Sequence, residues 1–220
     1  MACISGPNGT CPDPTPKVTE PMITFLTIIA AYLIGAIPTG VVLTRLTGAA
    51  DVRSAGSGNI GATNVYRVAG KKLGILTLVG DALKGVLPVI VAQSWLQFEP
   101  YGVALVAVAA FLGHCYPVYL GFKGGKGVAT ALGIFLVLSP PSVLIAFLVF
   151  ALLLWKTRYV SLGSITAAGL MPFMVLLFEG DASLFSASLV VSGMVIVRHR
   201  ANIERLIHGN ENKFGADKTA

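Results

Sequence analysis

Long apolar runs, broken by short blocks that hold nearly all of the charge, limit what this chain can fold into more than any motif does. A transmembrane helix needs about 20 mostly apolar residues. Runs of that kind occupy 22–46, 73–96, 102–120, 128–155, 159–178 and 182–197. Apolar residues make up 55% of the chain, charged residues 12%, and the mean hydropathy is +0.78. A soluble domain carries roughly 25% charged residues, so this chain has too little charge to cover a water-facing surface. A soluble enzyme, a disordered chain and a coiled coil are excluded. The net charge of +6 falls in blocks between the runs, with few aromatics interleaved, which speaks for membrane topology and anionic ligands and against nucleic acid.

The run at 128–155 is too long for one ordinary span and contains Pro140-Pro141. Proline removes a donor and restricts its predecessor, so a helix tends to end before such a pair. A turn there gives about seven transmembrane helices, the fourth short, in an all-α polytopic protein. With the N-terminus outside and the C-terminus cytoplasmic, every basic residue except Lys17 and the intramembrane Lys84 lies on the inner side, as the positive-inside rule requires. Residues 1–20 read as a disordered tail rich in Pro, Gly and Thr, 21–214 as the membrane-embedded domain, and 215–220 as a C-terminal tail. Cys3 and Cys11 could pair in an oxidising compartment, while Cys115 reads as packing.

Two inner loops carry the chemistry. The first, 56–67, combines small residues with Ser57, Asn59, Thr63, Asn64 and Arg67. Successive backbone N–H groups in such a loop can form an anion nest, and a guanidinium forks onto phosphate oxygens. The second runs Gly121-Phe122-Lys123-Gly124-Gly125-Lys126-Gly127 and opens a helix, an arrangement suited to phosphate. It is not a P-loop, because Gly127 follows Lys126 where that motif requires Ser or Thr. The 156–164 loop and the 198–206 segment are also basic and polar. The histidines do not cluster with Cys or carboxylates as metal ligands would. No G-x-S-x-G elbow is present. The H-x-x-x-x-D motif of the soluble-donor acyltransferases is absent too, since Tyr119 and Glu204 stand five residues after His114 and His199.

The succession S-G-N-x-G-A-T-N-x-x-R, G-H-x-Y-P-V, F-K-G-G-K-G-V-A-T, R-Y-V-S-L-x-S and R-H-R-x-N-I-x-R-L, spread over 31–214, closely resembles the bacterial acyl-phosphate:glycerol-3-phosphate acyltransferase family (PlsY). The resemblance implies an enzyme of the bacterial cytoplasmic (inner) membrane, with its active site facing the cytoplasm. It would transfer a fatty acyl group from acyl phosphate to the 1-hydroxyl of sn-glycerol 3-phosphate, giving lysophosphatidate and phosphate, with no cofactor and no metal. Its partners would be these two substrates and membrane lipid, with no nucleic acid. Carried over motif by motif, Ser57, Asn59, Thr63, Asn64 and Arg67 are expected to bind phosphate and glycerol. Lys126 would be the main charge on a phosphate, supported by Lys123 and by the N–H groups of Gly124, Gly125, Lys126 and Gly127. Ser164 and Asn202 would complete the pocket. His114, Lys126 and Ser57 are the expected catalytic residues. His114 has two readings, proton transfer or the positioning of a loop, because the leaving phosphate could itself take the hydroxyl proton. Asp81 and Lys84, three apart on one helix face, read as a structural ion pair in preference to a pocket wall. A small transporter of phosphorylated solutes is the competing class. Against it stand the absence of a convincing repeat between the halves and the collection of the polar motifs on one face.

Overall fold

A computed structural model of the chain describes residues 19–215, so the Cys3/Cys11 pairing and most of both tails lie outside the described residues. Ten α-helices follow one another, and no strand occurs among the described residues. They are α1 (Thr19–Gly35), α2 (Thr39–Leu46), α3 (Ala62–Ala69), α4 (Lys71–Ile90), α5 (Pro100–Cys115), α6 (Val128–Leu138), α7 (Pro140–Thr157), α8 (Val160–Phe178), α9 (Ala182–Arg198) and α10 (Arg200–Ile207). Four stretches are long and apolar enough to cross a membrane: Lys71–Trp95, Pro100–Leu120, Pro140–Thr157 and Val160–Phe178. Two bent pairs add to these, α1 with α2 at 45° and α9 with α10 at 55°. The break between α6 and α7 falls at Ser139, directly before Pro140-Pro141. At 1.5 Å per residue α6 is about 16 Å long, half the hydrocarbon thickness of a bilayer.

Helix α5, rich in alanine, occupies the middle of the bundle, with Val106, Ala107, Ala110 and Phe111 fully buried. Its close approach to α1 depends on two glycines. A Cβ on Gly35 would strike the Ala110 backbone, and one on Gly113 the Tyr32 carbonyl. Gly85 and Gly133 do the same between α4 and α6. Small residues that let backbones touch are the usual basis of helix packing where water provides no hydrophobic drive. Large apolar side chains cover the outside instead. On α7, Leu144, Phe147, Leu148 and Leu152 are about half exposed, and Trp95, Tyr101 and Trp155 stand exposed near helix ends, as in the aromatic belts of membrane proteins.

One polar cluster lies within the bundle. Lys84 Nζ is 2.8 Å from Asp81 Oδ1, donates to the Ile37 carbonyl at the α1–α2 break (2.6 Å), and lies 3.3 Å from His114 Nδ1. The ammonium thus has one carbonyl acceptor, a carboxylate in ion-pair contact and an imidazole nitrogen beside it. Thr130 Oγ1 donates to the Asp81 carbonyl at 2.9 Å. Asp81 and Lys84 join α4 to the break, to α5 and to α6, and Asp81 and His114 also border the cavity described below.

Candidate functional site

A cavity of about 460 Å³ opens where the polar loops meet. Its polar pole draws on the first loop and α3 (Ser57, Asn59, Thr63, Arg67), the second loop (Lys126, Gly127), α8 (Ser161, Ser164), the α9–α10 bend (His199, Asn202, Arg205) and the segment after α10 (Glu211). Its other end is apolar, lined by Leu78, Leu132, Phe135, Phe147, Ala167 and Met171 among others.

Asn64 builds the first loop. It is 2% exposed. Its Nδ2 donates to the carbonyls of Asn59 (2.8 Å), Val52 (2.9 Å) and Ala55 (3.1 Å), and its Oδ1 accepts from the Ser57 N–H (2.8 Å). Its hydrogen-bonding capacity is therefore spent on the backbone. Asn64 thus folds the loop, and it also borders the cavity wall, so its expected contact with a substrate stays a matter for the proposal below. With the loop closed in this way, Ser57 lines the pole beside the N-terminus of α3. That helix begins after Gly61 without a side-chain cap, so its first N–H groups, Ala62 and Thr63, have no acceptor within the helix and lie on the cavity wall. Thr63 and Arg67, four apart, share the cavity face of α3.

Arg198 shapes the second loop. Its Nη2 donates to the Gly124 carbonyl at 2.7 Å and its Nε to the Gly125 carbonyl at 3.0 Å. The Gly125 N–H donates back to the His114 carbonyl at 3.2 Å. Gly125 lies so close over the His114 ring that a Cβ there would overlap it. Gly127 takes a left-handed φ of 79° and hands the chain to α6. The expectation for this loop therefore divides. Lys126 reaches the pole. Lys123 is exposed and stands outside the cavity wall, as do Gly124 and Gly125, whose carbonyls Arg198 holds while the Gly125 N–H is on the His114 carbonyl. Two lysines three apart in non-helical chain do not point the same way.

Lys126 Nζ donates to Asn202 Oδ1 at 2.5 Å. Asn202 Nδ2 donates to Glu211 Oε1 at 2.7 Å. Glu211 also accepts from Ser161 Oγ at 2.9 Å and from Arg205 Nε at 2.8 Å. Ser164 Oγ donates to the Val160 carbonyl of its own helix and keeps its lone pairs for the cavity. His199 Nδ1 lies 2.7 Å from the Val195 carbonyl. A carbonyl can only accept, so the proton is on Nδ1 and the Nε2 lone pair is free. Burial pushes Lys126 down to about 8; Glu211 opposes that shift, while Arg205, Arg67 and Arg198 reinforce it. Burial alone would raise the Glu211 carboxyl. Hydrogen bonds from Asn202, Arg205 and Ser161 outweigh it and hold Glu211 below the ordinary carboxylate range.

His199, Arg205, Ser161 and Glu211 were not singled out from the sequence. Arg205 had a signal, standing three residues after Asn202 on one helix face. Glu211 had none, since it lies in a short polar segment without periodicity.

Three cationic side chains and several neutral donors at one end, with an apolar arm at the other, define a membrane-embedded site for an anionic amphiphile. The comparisons with known proteins agree. Residues 25–209 match the family model described as glycerol-3-phosphate acyltransferase, and the chain belongs to that family. It is 65% identical over 192 residues to the glycerol-3-phosphate acyltransferase of Syntrophotalea carbinolica, covering 87% of this chain and 98% of the relative. To that of Geobacter sulfurreducens it is 56% identical over 186 residues, covering 84% and 95%. Two crystal structures of PlsY, an integral membrane glycerol 3-phosphate acyltransferase, superpose at 42% identity over 88% of this chain and 96% of theirs. The TM-score is 0.84 for the glycerol 3-phosphate form and 0.81 for the lysophosphatidic acid form. This chain is thus a multi-pass membrane acyltransferase.

Proposed function

We propose that the protein acylates the 1-hydroxyl of glycerol 3-phosphate with acyl phosphate as donor, in the bacterial cytoplasmic membrane, with its polar pole facing the cytoplasm. The observation that carries this reading is one continuous cavity that joins a cationic pole to an apolar arm. The acyl chain lies along Leu132, Phe135, Phe147 and Met171, and both phosphates gather at Arg67, Lys126 and Arg205. A dianionic ligand at such a pole is held by charge-assisted hydrogen bonds, about twice as strong as neutral ones. The substrate hydroxyl attacks the acyl carbonyl, an ester C–O bond forms, and the bond from the acyl carbon to the phosphate oxygen breaks. The hydroxyl proton leaves with the phosphate.

In this reaction Lys126 neutralises charge growing on the leaving phosphate, as preorganised donors do in acyl transfer. Ser57, Asn59, Thr63, the α3 N-terminus and Arg67 hold the glycerol phosphate from one side. Ser164, Asn202 and His199 Nε2 face it from the other. Of the two readings of His114, loop positioning is supported by its geometry, since Lys84 faces Nδ1 and Gly125 lies on the ring. The cytoplasmic side follows from the charge distribution, which leaves only Lys17 opposite the basic loops.

The test follows labelled glycerol 3-phosphate into lysophosphatidate with purified protein. Acyl phosphate is expected to support conversion and acyl-CoA is not. Equal conversion with acyl-CoA would overturn the donor assignment.

A further inference from the structure

The three donors converging on Glu211 come from two helices, Ser161 on α8 and Asn202 and Arg205 on α10. Glu211 itself sits on a strap, 210–214, that lies past the end of the family match at 209 and lines the cavity through Glu211, Asn212 and Phe214. Phe214 anchors the strap. Its N–H donates to the Arg158 carbonyl at 2.6 Å, its carbonyl accepts from Arg158 Nε at 3.0 Å, and its ring rests on Tyr66 with centroids 5.3 Å apart. The Glu211 side chain is only 6% exposed.

We propose that Glu211 is a positioning residue of the acyltransferase site: it fixes the Asn202 amide so that Oδ1 faces Lys126, and it keeps the Lys126 ammonium charged. The first half follows from donor and acceptor chemistry. An ionised carboxylate only accepts and an ammonium only donates. An amide between the two has one stable orientation, with Nδ2 toward Glu211 and Oδ1 toward Lys126. With a neutral partner at 211 the amide loses one of the two groups that dictate this choice and is held from the Lys126 side alone. The second half follows from charge. The groups that face Lys126 are Arg67 from α3, Arg198 from α9, His199 at the bend, Arg205 from α10 and Glu211 from the strap. Glu211 is the one anion among them, and an opposite charge nearby favours the charged form of a lysine.

The inference rests on the acyl-transfer reading, and its test separates the two by measuring binding as well as turnover. Affinity for inorganic phosphate is measured against pH by calorimetry for the wild type, Glu211→Gln and Glu211→Asp, with kcat and KM for glycerol 3-phosphate in parallel. For Glu211→Gln, the pH at which affinity is lost on the alkaline side moves down by about half a unit or more, since the favouring anion is gone. Its kcat/KM at pH 8 falls about tenfold, with the loss mainly in kcat. Glu211→Asp keeps the charge and retracts the oxygens, so its alkaline midpoint stays at the wild-type value while kcat falls. An unshifted midpoint and wild-type turnover in Glu211→Gln would overturn the proposal and leave the acyl-transfer reading intact. Absence of turnover in the wild type would count against that reading, and the binding midpoints would still decide the role of Glu211. Should Glu211→Gln fail to fold, Glu211→Asp decides: reduced kcat in folded protein upholds the proposal, and wild-type kcat overturns it.

Discussion

Lys126 and Asn202, 76 positions apart in sequence, meet through a hydrogen bond of 2.5 Å that closes the second loop onto α10. This contact makes one pole out of segments that are remote along the chain. The Lys126 ammonium is directed by a neutral amide and retains donors for an anion.

Lys126→Ala is therefore expected to lower kcat/KM by about 100-fold or more, the scale seen on removal of a preorganised donor in acyl transfer. Asn202→Ala, which leaves the charge present and undirected, is expected to lower it by about tenfold. Steady-state kinetics with both substrates varied check the ranking. A larger loss in Asn202→Ala than in Lys126→Ala would contradict it.

The pH dependence has a definite sign. Lys126 is pushed down to about 8 by burial, so it is charged below that pH and neutral above it. Activity that needs the ammonium is retained below about 8 and declines as pH rises through it. The folded Lys126 binds fewer protons than the unfolded one between about 8 and the ordinary lysine value of 10.5, so its contribution to folding stability grows with pH over that window while activity falls. A pH–rate profile beside thermal unfolding in detergent checks the divergence. An alkaline limb unchanged in Lys126→Arg would refute the assignment.

Asp81 and Lys84 are expected to matter for folding more than for chemistry. Removing one partner of a buried pair costs about 3–5 kcal/mol, whereas removing both together often costs far less. Asp81→Ala is expected to lower folded yield and Tm, and the double variant with Lys84→Met to recover much of the loss. Normal stability with lost specific activity would place Asp81 in the reaction instead.

Gly125→Ala tests the link between His114 and the second loop. The added methyl would overlap the His114 ring, which is buried and held beside Lys84. The loop shifts, Lys126 moves off Asn202, and kcat falls by about tenfold or more, as for misplaced catalytic groups generally. Adding His114→Ala makes space and is expected to restore part of the rate. No recovery in the double variant would show that His114 does more than support the loop.

Much of this architecture was legible in the sequence because bilayer thickness and charge placement are strong constraints. The apolar runs and the Pro140-Pro141 break appear where the helices do. Arg67 and Lys126 were legible as charges in Gly-rich loops beside apolar helices, and Ser164 and Asn202 through the motif resemblance; all four lie on the cavity wall. What was not legible depends on side-chain direction and on contacts remote in sequence. Asn64 looked like any other polar residue of the first loop until its amide was seen to meet four backbone groups. Lys123 was expected to support Lys126 on the phosphate, because a Gly-rich loop has no fixed periodicity from which to read facing. Glu211 reaches the site only because Phe214 ties the strap to Arg158 and Tyr66.

On the proposed function one pole, organised by Lys126, serves both phosphates. Phosphate release from acyl phosphate by purified wild type and Lys126→Ala, titrated with glycerol 3-phosphate, tests it most directly. Release is expected to require glycerol 3-phosphate in the wild type, and in Lys126→Ala to fall by about 100-fold with a raised KM for it. Release independent of glycerol 3-phosphate, or undiminished in Lys126→Ala, would contradict the claim.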